Sequence, residues 1–166
     1  MTPTPPPTPA LPGRADFDFL IGRWTVAHRR LDQRLVGCTA WTRFAGTCEA
    51  RTLLDGQANI DDNLLELPTG PYRAASLRTF DPATGLWSIW WLDSRTPDRL
   101  DPPVVGRFVD GTGEFLTDDT FAGRPIRVRF RWVLTDPAAP RWDQAFSDDG
   151  GATWEPNWEM VFTRAA

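Results

Sequence analysis

Ile126-Arg127-Val128-Arg129-Phe130-Arg131-Trp132 alternates apolar and basic side chains without a break, and Leu134 continues the apolar set two positions further on. Successive side chains of a strand point to opposite faces, so this run reads as a strand with one apolar face and one arginine face. Ile126, Val128, Phe130 and Trp132 are expected to be buried, and Arg127, Arg129 and Arg131 to face water. The same period recurs along the rest of the chain. From Trp24 onward, runs of period two alternate with turn signals, and none keeps a helical period over three turns.

Strands are predicted near residues 23–31, 37–45, 47–55, 58–67, 72–80, 86–95, 104–109, 113–120, 124–135, 141–147 and 154–164. Most connections are short and rich in Gly, Asp and Pro, which favours hairpins between sequence neighbours. So many strands in a small domain should curl and close, because closure removes exposed edges. The predicted fold is all-β: a closed antiparallel meander barrel of about eight to ten strands. A two-sheet sandwich is the main rival. A short helical turn is expected before the first strand, where Asp16-Phe17-Asp18-Phe19-Leu20-Ile21-Gly22 sets acids ahead of an apolar turn ending in Gly.

The chain has 166 residues, enough for one domain with a sizeable core. The Pro/Thr-rich start cannot build a core, so residues 1–14 are read as a disordered arm and 15–166 as the domain. A net charge of −4, with acids and arginines interspersed, offers no basic stripe for a phosphate backbone, and no nucleic-acid partner is expected. No stretch reaches membrane-spanning length and the first residues do not resemble a secretion signal. A cytoplasmic location and no membrane partner are the corresponding expectations, with a homodimer left open. Every basic residue but one histidine is arginine, which removes lysine nucleophiles and Schiff bases.

Cys38 and Cys48 fit no CxxC spacing and are read as buried free thiols; no metal site is expected. There is no Gly-rich phosphate loop, G-x-S-x-G elbow or H-E-x-x-H. Two turns can be read in detail. Asp81-Pro82-Ala83-Thr84-Gly85 has the residues of a tight hairpin loop. Ser147-Asp148-Asp149-Gly150-Gly151-Ala152-Thr153-Trp154 matches the Asp-box pattern of sialidase blades, but one box in a chain too short for a propeller reads as a self-bonded turn. Asp118 and Asp119 read as a solvated hairpin end.

Gly22-Arg23-Trp24, following a short helical turn, resembles the G-x-W signature of lipocalins and related calycin barrels. That resemblance implies an arginine near the end of the last strand packed over the Trp, and Arg164 stands at the matching place. Asp16 to Arg164 also resembles a group of small bacterial proteins of unknown function thought to be lipocalin-like, through Leu100-Asp101-Pro102-Pro103-Val104-Val105-Gly106-Arg107-Phe108, Arg127-Val128-Arg129-Phe130-Arg131-Trp132 and Trp142-Asp143-Gln144-Ala145-Phe146-Ser147. It implies an architecture and no reaction.

Parity turns Trp142, Gln144 and Phe146 inward, with Trp158, Met160 and Phe162, and with Trp87, Ile89, Trp91 and Asp93. If Trp24 is core, Val26, His28 and Arg30 follow it. The nine tryptophans offer flat apolar area, and polar residues on inner faces are informative because a buried charge is costly unless paired or wet. The expected ligand-lining set is His28, Arg30, Asn59, Asp61, Trp91, Asp93, Trp132, Trp142, Gln144 and Trp158. Asn59-Ile60-Asp61-Asp62-Asn63 reads equally as strand or loop.

The leading expectation is a binder of a small, partly aromatic or apolar molecule in a Trp-lined barrel, without a cofactor. His28 is expected to line the cavity with a hydrogen-bonding acid nearby. The first alternative is a cofactor-free isomerase or cyclase using His28 and Asp93 as a proton shuttle. Haem ligation by His28 is disfavoured, because nitrobindin-like barrels place their ligand late in the barrel. The second alternative is a scaffold whose outer arginines and Trp90 form an interface.

Overall fold

A computed structural model of the protein describes residues 11–166. Ten antiparallel strands close into a barrel in the order β1-β10-β9-β8-β7-β6-β5-β4-β3-β2, so each strand pairs with its sequence neighbours and β1 pairs with β10. They are β1 (Gly22–Leu31), β2 (Trp41–Leu53), β3 (Ala58–Leu67), β4 (Gly70–Asp81), β5 (Leu86–Asp93), β6 (Val104–Val109), β7 (Thr112–Phe121), β8 (Arg124–Val133), β9 (Arg141–Ser147) and β10 (Glu155–Arg164). A 3-10 turn at Asp18–Leu20 precedes β1 and another at Leu54–Gly56 follows β2. The meander is closed, with no sandwich.

The runs predicted at 37–45 and 47–55 are one strand, β2, and residues 32–40 form a loop. Gly46, at the predicted break, sits mid-strand for a packing reason. A Cβ there would lie 2.5 Å from the Leu64 carbonyl oxygen and 2.7 Å from His28 Nε2, so only glycine leaves room for that imidazole.

On β8 the parity is as expected: Ile126, Val128 and Trp132 are buried and Phe130 is half-buried at the cavity wall. The strand ends at Val133, before Leu134. The arginines differ from expectation in being half-buried rather than fully exposed. Arg131 pairs with Asp143 at 2.9 Å, Arg127 with Asp118 at 3.4 Å, and Arg129 lies over Trp154 at 4.7 Å. Neighbouring side chains therefore cover their stems.

One barrel end is plugged. Phe17 and Leu20 pack beneath Trp24 and Trp87, and the Trp87 indole donates to the Gly13 carbonyl at 2.9 Å. The stretch 11–14 is thus a turn held on the barrel, with Arg14 donating to the Asp55 carbonyl, rather than part of a disordered arm. Residues 1–10 of that expected arm lie outside the described residues. The loops β1–β2, β3–β4, β5–β6, β7–β8 and β9–β10 gather at the other end, which stays open.

Both turns behave as read. Asp81 accepts from Ala83 N and Thr84 Oγ1, each at 2.9 Å. Asp149 accepts from Ser147 Oγ, Thr153 N and Thr153 Oγ1, and these bonds, those from Thr153 first, hold its carboxyl well below the ordinary range. The Asp-box segment is a self-bonded β9–β10 turn.

Candidate functional site

The open end leads into a cavity of about 680 Å³, within the range of small-molecule pockets. Its apolar wall comes from inward positions of β5, β8, β9 and β10, including Ile89, Trp91, Val128, Phe130, Trp142, Phe146 and Trp158. The indoles are fixed edge to face: Trp158 meets Trp142 at 5.2 Å and 87°, and Trp91 at 5.5 Å and 89°. Pleating explains this wall, since one strand face carries aromatic residues at every second position. A bulge between Pro156 and Trp158 turns Asn157 inward as well, where it accepts from Gln144 Nε2 at 2.8 Å and orients that amide at the wall.

Polar groups concentrate near the rim. Arg30, at the end of β1, lies over the Trp158 ring at 4.0 Å and donates to Tyr72 Oη at 2.7 Å. Asp93 accepts from Arg95 Nε at 2.9 Å and Nη2 at 2.6 Å, and Arg95 stacks on Tyr72 at 3.7 Å. Burial pushes the Asp93 carboxyl up, but the Arg95 hydrogen bonds and charge outweigh it and hold the carboxyl below its usual range. Arg34, from the β1–β2 loop, lies over Phe146 at 5.2 Å; burial, then the charge of Arg30, lowers its pKa to about 10, so it remains a cation at neutral pH. Asp101 and Asp119 also line the cavity, where burial and then the Asp119 charge raise the Asp101 carboxyl.

Of the expected site residues, Arg30, Trp91, Asp93, Trp142, Gln144 and Trp158 meet at this cavity. Asp61 and Trp132 line a separate space of about 30 Å³ beneath it, room for about one water. There Asn59, Asp61 and Asn63 settle the strand-or-loop question for 59–63: they are inward residues of β3, all buried. Arg78 donates to Asp61 Oδ2 at 2.6 Å and to Asn59 Oδ1 at 3.0 Å. Asp61 Oδ1 also accepts from Asn63 Nδ2 at 2.5 Å and Ser76 N at 2.7 Å. This network forms a polar layer between plug and cavity floor, and it places Asn59 and Asp61 away from the large cavity.

His28 is buried but does not line the large cavity. Its Nδ1 accepts from the Trp158 indole at 3.2 Å and its ring stacks on Phe44 at 4.6 Å and 8°. The acid partner expected for it is absent among the described residues: Asp93 is engaged by Arg95 and no carboxylate hydrogen-bonds His28. Burial, then Arg30, lowers its pKa to about 3, so the imidazole is neutral. An imidazole so placed holds Trp158 in position; the structure does not join His28 and Asp93 into a proton shuttle.

Tyr72, Arg34 and Arg95 are cavity residues that sequence reasoning missed. Parity along Tyr72, Ala74, Ser76, Arg78 and Phe80 would have found Tyr72 and Arg78, which share an inner face. Arg34 lies in an irregular loop and carries no periodic signal. Among the described residues no group of three or more His, Cys, Asp or Glu could hold a metal ion, and no helix is long and apolar enough to cross a membrane. Cys48 is buried, and burial pushes its thiol up; Cys38 is only half-buried, contrary to expectation.

No family model matches the chain. No curated protein matches it in sequence either. The ten-stranded closed meander is consistent with a lipocalin-like fold.

Proposed function

We propose that this barrel binds a small, partly aromatic or apolar molecule at its open end. The observation that carries the reading is the cavity of about 680 Å³ walled by Trp91, Trp142 and Trp158, whose rings, that of Trp158 perpendicular to each of the other two, leave flat apolar surface unfilled. An ordinary core fills such space, because interiors pack to crystal-like density. Arg30, Asp93 with Arg95, and Gln144 supply orientation at the rim and wall. A calycin kinship belongs to the same reading and is supported by the packing of Arg164 over Trp24. The neutral, acid-free His28 gives the isomerase alternative no favouring observation, and the β8 arginines, paired or stacked on the barrel's own residues, give none to the scaffold.

Isothermal titration calorimetry with 2-naphthalenemethanol, a neutral aromatic probe, tests this. Saturable one-to-one binding is expected, lost in Thr117→Trp, which fills the cavity from β7. No heat of binding up to the probe's solubility limit, or equal binding by the filled variant with an unchanged circular dichroism spectrum, contradicts the reading.

A further inference from the structure

Among the described residues, two guanidiniums at the cavity rim have no carboxylate bonded to them. Arg30 uses one N–H on Tyr72, and its Nε is buried without a partner among those residues. Arg34 makes no hydrogen bond or ion pair among the described residues. The third guanidinium, Arg95, is already matched by Asp93. Tyr72 and Glu155 act on Arg34 through charge alone, and Glu155 accepts from Leu35 N at 2.8 Å. The fourth lining guanidinium, Arg124, pairs with Asp148 at 3.4 Å, and Asp32, the lining acid on the same loop as Arg34, accepts from Thr42 Oγ1 at 2.6 Å, so among the described residues no carboxylate answers Arg30 or Arg34; a buried donor without an acceptor is costly. Asp101, from the β5–β6 loop, and Asp119, from β7, also line the cavity and have no bonded cation among the described residues.

We infer that Arg30 and Arg34 form a carboxylate-binding site, and that the ligand is an aromatic or apolar monocarboxylate with its head at these arginines and its body against Trp91, Trp142 and Trp158. This rests on the cavity's being a ligand site. The fork of an arginine matches the two oxygens of a planar carboxylate. Asp101 and Asp119 repel a second negative charge, so a dicarboxylate gains nothing beside them.

The test compares 2-naphthoate with 2-naphthalenemethanol by titration calorimetry at pH 7.5, using wild type, Arg34→Gln, Arg30→Lys and Arg107→Gln. Arg107 is exposed on β6 and controls for net charge. Wild type should prefer naphthoate by roughly tenfold or more, the usual scale for charged hydrogen bonds. Arg34→Gln should lose that preference while its affinity for the alcohol stays within about threefold, Arg30→Lys should lose part of it, and Arg107→Gln should keep it. Equal wild-type affinity for the two probes, or equal weakening of both by Arg34→Gln, overturns the carboxylate site while leaving the cavity reading intact. Binding of neither probe overturns both.

Discussion

Arg164 lies 3.9 Å from the centre of the Trp24 ring and, from the same guanidinium, donates to the Ile21 carbonyl at 2.6 Å and the Phe19 carbonyl at 2.8 Å. The last strand thereby fastens the 3-10 turn that plugs the barrel. The Trp24 indole completes the clasp by donating to the Leu20 carbonyl at 2.7 Å. Arg164→Lys keeps the charge but loses the planar fork, so it should destabilise the fold by about 1–2 kcal/mol. Urea unfolding checks this, and probe binding at the opposite end should not change.

Asp61 and Arg78 form the most deeply buried ion pair among the described residues, with side chains 3 % and 4 % exposed. Removing one partner strands a charge in the barrel. Asp61→Ala should cost about 3–5 kcal/mol, and Asp61→Ala with Arg78→Met should recover part of it, because no charge is then left unpaired. Comparing the urea midpoints of the two variants measures the coupling. A double variant no more stable than the single one would show that other partners of the network dominate.

Much of the fold was legible because strand parity is a local signal. Ile126 to Trp132 announces its faces in seven residues, and Gly22-Arg23-Trp24 with Arg164 announces the plug. The break predicted between 45 and 47 is absent because the reason for a glycine there is tertiary: the ring of His28 from β1 and the backbone of β3 meet over Gly46. The site was legible where it rides on strands, as with Trp91, Trp142 and Trp158. Arg34 comes from an irregular loop whose direction only the closed barrel fixes. His28 was found inward by parity, but which group would face its nitrogen depends on the β1–β10 register that sets His28 opposite Met160, beside Trp158.

Gly46→Ala tests that packing. The added methyl meets a backbone carbonyl and the His28 ring, neither of which can swing away freely, so a loss of about 1–3 kcal/mol is expected by urea unfolding. An unchanged midpoint would mean that β2 and β3 separate there without penalty.

His28 gives stability a pH dependence of known sign. Its folded-state pKa of about 3 lies below the ordinary 6.5, so below about pH 6.5 the unfolded chain binds a proton that the folded chain does not. Its contribution is full above that pH and is lost as pH falls toward 3, by about 1.4 kcal/mol per pH unit. His28→Gln, which keeps an acceptor for Trp158, should flatten the wild-type curve between pH 6.5 and 4. Parallel curves for the two proteins would show that His28 takes up its proton while folded.

The cavity's role is tested most directly by the indole N–H signals in ¹H–¹⁵N correlation spectra during titration with 2-naphthoate. Trp91, Trp142 and Trp158 line the cavity, whereas Trp24 and Trp87 lie in the plug at the other end. Saturable shifts of the first three signals, with Trp24 and Trp87 unmoved, are the expected result. Three unmoved cavity signals at saturating probe, or shifts confined to Trp24 and Trp87, would contradict a ligand site at the open end.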